Sequence, residues 1–319
     1  MFDLNLTAML PPSPYAAQLA LIPLTQRSIE VAGGTTALWI YGPADAHTTI
    51  VMVHGFRGDH HGLEPIVAQL PGYRVVLPDL PGFGISTPLG VAHDIDGYSA
   101  WLTELVTTLT ERAGEAEPPA QKPAGHLVIL GHSFGSIIVS AAAAKGLSPD
   151  AVVLVNPIAA PALSGPRGIL TRLAVFYYKM GAWLPTKPGF AWLRLGAVTR
   201  IMSVTMAKTR DKGLRRWIHS QHDQFFGAFS NRDVVLEAFE ASVSNDVSEY
   251  AKKNTLPTLL VAADRDDITP VAAQERLVTL LPNAELVVLP GVGHLVHYER
   301  PAEAAAAIEA FLKKQEALR

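Results

Sequence analysis

Short runs of aliphatic residues recur along this chain and alternate with stretches whose apolar residues return every three or four positions. The runs are TIVMV (49–53), RVVLP (74–78), HLVIL (126–130), AVVLV (151–155), TLLVA (258–262) and ELVVL (285–289). Continuous Val/Ile/Leu runs predict strands buried on both faces, as in a parallel sheet. Between them, Leu63 to Leu70, Tyr98 to Leu109, Phe134 to Lys145 and Val271 to Leu281 read as helices. A last helix starts at Pro301, a residue suited to the first turn, and sets Ile308, Phe311 and Leu312 on one face. Ahead of the alternation, SIEVA (28–32) and TALWIY (36–41) flank Gly33-Gly34 and predict a hairpin. The expected architecture is α/β, with a mostly parallel central sheet and helices on both faces. Ligands bind such sheets outside the carboxyl ends of the strands, so chemistry is sought there.

The strand rhythm lapses between residues 158 and 252. This segment holds Tyr177, Tyr178, Trp183, Trp192, Trp217, Phe225, Phe226 and Phe229. It carries 13 Lys and Arg against 7 Asp and Glu, whereas the rest of the chain carries 13 against 22. We read it as a helical lid inserted into a core formed by residues 1–157 and 253–319. Its cations are either a solvated outer face over an aromatic interior, or the means of meeting an anionic or interfacial substrate. In the second case Tyr177, Trp183, Trp217 and Phe225, with His132 from the core, are the candidate substrate-binding residues. The Pro/Glu/Ala stretch 113–124 reads as an exposed loop.

Composition narrows the classes further. Of 319 residues, 49% are hydrophobic and 17% charged, which favours a large buried core and excludes general disorder. The net charge of −3 gives no reason to expect nucleic acid as a partner. The chain has no cysteine, so disulfides, thiolate metal sites and a catalytic thiol are excluded. The first 26 residues contain Asp3, lack Lys and Arg, and are broken by Pro11, Pro12, Pro14 and Pro23. Neither a secretory signal nor a membrane span has that pattern. The segment is expected to pack on the domain or form an exposed arm, and the expected location is cytoplasmic. His60, His61, His219, Ser220, His222 and Asp223 offer ligand atoms, and His219 and His222 can share a helix face. No set recurs at a known ligand spacing, so neither metal nor cofactor is expected. Nothing in the sequence speaks to oligomeric state.

The chemistry centres on Gly131-His132-Ser133-Phe134-Gly135, between a predicted strand and a predicted helix. A tight strand–turn–helix elbow needs small residues on either side of the serine, and it lifts the hydroxyl clear of the sheet. A serine hydroxyl is a weak nucleophile at neutral pH and needs a base, which in turn needs an orienting acid. On this architecture the chain order is serine, acid, histidine. Asp264, Asp266 and Asp267 follow the run 258–262, and Gly291-Val292-Gly293-His294 follows the run 285–289. His294 is the candidate base. The backbone N–H of Phe134, next after the nucleophile, is one candidate donor to the negative oxygen formed during attack. Asp79 is expected to fix the turn at Pro81-Gly82, and His54 to support its loop through hydrogen bonds.

The motifs HGF (54–56), DLPGFGIS (79–86), GHSFGS (131–136), DRDDITP (264–270) and GVGHLVHYERP (291–301) resemble those of the α/β-hydrolase superfamily, in its capped serine esterase/lipase-like branch. They span most of the chain apart from the lid. The resemblance implies an α/β-hydrolase fold and a Ser–Asp–His set. It places the acid four residues before Pro270, at Asp266, with Asp264 and Asp267 as alternatives. It also implies that Phe56 supplies the second oxyanion donor. The implied activity is hydrolysis of small carboxylic esters, with apolar acyl groups favoured by the aromatic lid. The same triad also serves C–C, amide and thioester hydrolysis and perhydrolysis, and the fold also hosts ligand receptors that do not turn over. Epoxide hydrolases and haloalkane dehalogenases of this fold use an aspartate where this chain has Ser133.

Overall fold

The computed structural model describes residues 11–112, 125–160 and 168–318. The expected loop 113–124 and residues 1–10 of the N-terminal segment lie outside them. Strands β1 (Leu24–Val31), β2 (Gly34–Tyr41), β3 (Thr48–Val53), β4 (Arg74–Pro78), β5 (His126–His132), β6 (Ala151–Val155), β7 (Thr258–Ala263) and β8 (Ala284–Leu289) form one sheet in the order β1-β2-β4-β3-β5-β6-β7-β8. Strands β3 to β8 run parallel, and β2 is antiparallel to both of its neighbours. All six aliphatic runs therefore become the parallel strands.

The hairpin sits one residue earlier than the Gly33-Gly34 pair suggests. Val31 pairs with Gly34, and the two-residue loop is Ala32-Gly33, at φ 52° and 74°. Positive φ at both central positions matches the twist of the flanking strands. Gly34 belongs to β2, where an added Cβ would meet Thr87 Oγ1 at 2.7 Å.

Successive residues of each central strand face opposite ways. Ile50 and Met52 enter one apolar core, and Val51 and Val53 the other. The helices Ile95–Arg112 and Phe134–Ala144 cover one face through Tyr98, Trp101, Ile137 and Ile138. Pro301–Ala317 covers the other through Ile308, Phe311 and Leu312. The helix expected over Leu63–Leu70 is regular only at Glu64–Val67. Turns bonded from Ile66 to Leu63 and from Leu70 to Val67 extend it, so Leu63, Ile66, Val67 and Leu70 are still all buried.

Between β6 and β7 lie the helices Gly168–Trp183, Thr186–Leu193, Gly196–Met206, Lys212–Phe225, Arg232–Ser244 and Ser248–Ala251, with no strand among the described residues. Asp211 accepts hydrogen bonds from Gly213 N and Leu214 N, and Asn231 accepts one from Val234 N; each side chain caps a helix N-terminus. This insertion touches the rest of the chain through a bridge between Phe83 and Phe229. It also meets the N-terminal segment, where Tyr15 sets its ring edge-on to Trp217 and donates to Tyr298 O at 2.8 Å. Among the described residues, no helix is long and apolar enough to cross a membrane.

Candidate active site

Ser133 stands between β5 and the helix Phe134–Ala144 at φ 51°, a left-handed backbone that non-glycine residues rarely adopt. Such a conformation costs on the order of 1–3 kcal/mol and persists only where its surroundings enforce it. Here they do. Ser133 N donates to Val155 O, Ser136 Oγ donates to Ser133 O, and Ser136 Oγ accepts from Ile158 N. A methyl at Gly131 would collide with the backbone of Gly135, and one at Gly135 with the carbonyls of Val53 and His54. The spacing of small residues in the motif thus has a steric cause. The hydroxyl is left half-buried beside the positive end of the helix.

His294 comes from the loop after β8 and is buried. Its Nε2 lies 2.8 Å from Ser133 Oγ, and its Nδ1 lies 2.7 Å from Asp266 Oδ2. Asn156, at the end of β6, donates to His294 O at 2.8 Å and holds this loop against the sheet. Asp266 also accepts from Ile268 N, Thr269 N and Thr269 Oγ1. Burial works to raise the pKa of Asp266. The His294 charge and hydrogen bond, with the bonds from Thr269, outweigh it and hold the carboxyl below its ordinary value. The other two aspartates go elsewhere. Asp264 accepts from Gly291 N and Val292 N at 2.7 and 3.2 Å, and Asp267 pairs with Lys208 Nζ at 2.6 Å.

The loop after β3 closes on the same point. An added Cβ at Gly55 would meet Ser133 Cβ at 3.3 Å, so the backbone next to Phe56 runs alongside the serine. His54 Nε2 accepts from Leu80 N at 2.9 Å, which leaves its Nδ1 to donate to Gly55 O at 2.8 Å. Burial holds His54 below its ordinary pKa, as this neutral form requires. Phe134 opens its helix, so its N–H has no intrahelical acceptor. The Phe56 ring is surrounded by those of Phe83, Phe134, Tyr178 and Phe239 at 6.1, 6.2, 5.9 and 6.0 Å. Asp79 is fully buried. It accepts from His60 N and Ile85 N, so it ties both ends of the neighbouring loops rather than the Pro81-Gly82 turn alone.

The candidate substrate residues separate. His132 is buried with its ring 5.5 Å from that of His294. Burial first, then the His294 charge, push its pKa down to about 3. One of the insertion's aromatics holds the insertion itself, and two seat it on the core. Tyr177 donates to Trp192 O at 2.8 Å, Trp217 stands edge-on to Tyr298, and Phe225 stacks on His61 at 3.8 Å. Trp183 does not join them; it closes its helix at 79% exposure. The insertion residues that meet the Phe56 ring are instead Tyr178, one of the aromatics noted in this segment, and Phe239, which was not; the buried Arg57, next in the loop itself, does not stand out in the sequence either. His219 and His222 do share a helix face, and both Nδ1 atoms reach Ser203 Oγ, at 2.6 and 2.7 Å. Asp59, His60 and His61 bring ligand-type atoms within 4.8 Å of one another, as do His47, His126 and Glu316. In the first set the Nδ1 atoms are engaged already, that of His60 by Asp79 and that of His61 by Asp59.

A mostly parallel eight-stranded sheet, a serine on a strained turn before a helix and a histidine on the loop after the last strand define an α/β hydrolase. The chain belongs to the alpha/beta hydrolase family, whose model matches residues 50–307. It is similar to Lipase 1 of Psychrobacter immobilis, at 24% identity over 308 residues, covering 92% of this chain and 86% of that protein. It is also similar to the non-heme chloroperoxidase of Burkholderia pyrrocinia, at 27% identity over 273 residues, covering 80% of this chain and 87% of that one. Among solved structures it resembles a thermophilic esterase from Thermogutta terrifontis, with a TM-score of 0.69 and 20% identity, covering 91% of this chain and 99% of that one. That last likeness bears on the fold alone. Together the relatives support hydrolase activity in general.

Proposed function

We propose that the protein is a serine esterase acting through an acyl-enzyme on Ser133. The observation that carries this reading is the unbroken line Asp266–His294–Ser133, with 2.7 and 2.8 Å between successive side chains. Ser133 Oγ attacks the ester carbonyl while His294 Nε2 takes its proton and Asp266 stabilises the imidazolium. The backbone N–H groups of Phe56 and Phe134 receive the negative oxygen. His294 then protonates the leaving alcohol. Water, deprotonated by the same imidazole, releases the acid and restores the hydroxyl. The chemistry requires no cofactor.

Residues 158–252 act in this proposal as a cap over the core of residues 1–157 and 253–319. The five aromatic rings at the Phe56 loop support apolar acyl groups as substrates. Exposed Phe176, Trp183 and Ile201, at 61%, 79% and 66%, together with the excess of cations in this segment, support contact with an interfacial or anionic substrate. A fluorophosphonate is expected to label Ser133, and p-nitrophenyl esters of increasing chain length to be cleaved, with both lost in Ser133→Ala. Failure of labelling together with absence of ester cleavage overturns the proposal.

The similarity to a non-heme chloroperoxidase favours a second reading. Hydrogen peroxide in place of water would attack the same acyl-enzyme and release a peracid with the free serine. Peracid formed from acetate esters and peroxide, absent in Ser133→Ala, is its signature.

A further inference from the structure

Arg57 follows Phe56 directly and is 1% exposed. Its described hydrogen bonds reach no carboxylate. Nε donates to Phe226 O at 3.0 Å, Nη2 to Leu193 O at 2.9 Å and Nη1 to the Tyr178 hydroxyl at 3.2 Å. Leu193 ends one insertion helix and Phe226 directly follows another. Both carbonyls therefore belong to helix C-termini, where unpaired carbonyls and the negative end of the macrodipole gather. The ring of Phe229 lies 5.2 Å from the guanidinium carbon and adds its face. A buried guanidinium is costly unless its charge is met. Here two helix ends, a phenol and an aromatic ring meet it, and all of them come from the insertion.

The backbone tells the same story. Arg57 sits at φ 63°, where glycine or asparagine would turn the loop with less strain. An arginine there supplies a side chain long enough to cross to the insertion. On its other side the loop is fastened to the core, through His54 and Leu80 N.

We infer that Arg57 is a positioning residue: it fastens the Phe56 loop to the ends of two insertion helices, so that seating the insertion and aligning the Phe56 N–H are one event. This rests on the esterase reading of Ser133. It predicts that loss of the fork weakens stabilisation of the transition state more than binding of substrate.

The experiment begins with fluorophosphonate labelling of the unmodified protein; absence of label at Ser133 sinks the esterase reading and leaves no oxyanion for Arg57 to serve. With label present, Arg57→Met, Arg57→Lys and Tyr178→Phe are compared by circular dichroism and by kinetics on p-nitrophenyl acetate, per folded molecule. The expected result is a fall in kcat of roughly 10–100-fold in Arg57→Met, with KM changed by no more than about twofold. Arg57→Lys keeps the charge without the fork and is expected between the two. Tyr178→Phe, which removes one acceptor, is expected to lose roughly 3–10-fold in kcat. The midpoint of the pH–rate profile stays in place in all three, because the His294–Asp266 pair is untouched. Folded Arg57 variants with unchanged kcat, or a loss that only tracks the unfolded fraction, overturn the inference. If neither Arg57 variant folds, unchanged kcat in Tyr178→Phe overturns it.

Discussion

Asp264, Asp266 and Asp267 lie within four positions of one another and meet three different surroundings. Asp266 turns inward to His294 and three donors from Ile268 and Thr269, Asp264 ties the backbone of Gly291 and Val292, and Asp267 meets Lys208. Only the first is aligned with an imidazole and the Ser133 hydroxyl. Asp266→Asn should therefore lower kcat on p-nitrophenyl acetate by roughly 10^3–10^4-fold, through the wrong histidine tautomer and an uncompensated imidazolium, while the fold survives. Asp264→Asn should cost far less, since it only loosens the loop. The reverse ranking would move the acid to Asp264. Steric limits act at the same scale. Gly135→Ala places a methyl against the carbonyls of Val53, the last residue of β3, and of His54 just after it, and this backbone cannot retreat cheaply. The expected loss is about 1–3 kcal/mol of stability, read as a lower midpoint in urea.

At the scale of elements, the strap between Gly196–Met206 and Lys212–Phe225 is the second place where the insertion grips the site. Lys208 N and Thr209 N donate to Glu299 Oε1 at 2.6 and 2.8 Å, and an added Cβ at Gly293 would meet Lys208 Cγ at 2.7 Å. The strap thus lies on the loop that carries His294. Hydrogen bonds to a charged acceptor are worth about 1.5–3 kcal/mol. Glu299→Ala should release the strap, and trypsin, whose sites Lys208, Arg210 and Lys212 lie on or beside it, should nick it several times faster. Unchanged protection would mean that packing alone holds it. This contact, like that of Arg57, was not legible in the sequence, because both depend on how an insertion with no strand rhythm folds back over distant loops. The elements of the core were legible for the opposite reason. A run such as AVVLV can be satisfied only between two strands and two apolar faces, and Gly131 and Gly135 mark a turn whose sterics are local. The aromatics misled where composition could not distinguish a pocket from the inside of a helix pair: Tyr177 binds Trp192, and Trp183 faces solvent.

For the molecule as a whole, the buried histidines set the response to acid. His132, His222 and His297 form a group behind His294, and His132 lies 4.1 Å from His297, ring centre to ring centre. Burial, reinforced by neighbouring positive charge, pushes His132 and His222 down to about 3 and holds His297 well below its ordinary value. His132 Nε2, His222 Nε2 and His297 Nδ1 have no hydrogen-bond partner among the described protein atoms, so a proton added there gains nothing to offset its desolvation. In the unfolded chain each imidazole takes a proton near pH 6.5. Below that pH the unfolded state binds more protons than the folded one, so stability is complete above about 6.5 and falls as pH drops toward 3. His61 acts with the opposite sign: although burial opposes it, Asp59 raises its pKa, and it recovers a little of the loss. The lowered pKa of Asp266 enters only below the ordinary carboxylate range, outside this window. His132 and His222 should then each remove about 2 kcal/mol as the pH falls to 5, and His297 acts in the same direction. Urea midpoints measured from pH 8 to 5 should hold steady and then fall steeply below 6.5, and His222→Gln should remove one proton's worth of that slope. A stability curve that stays flat down to pH 5 would mean that these imidazoles find protons without unfolding, and that the interior beneath His294 is wetter than its packing implies.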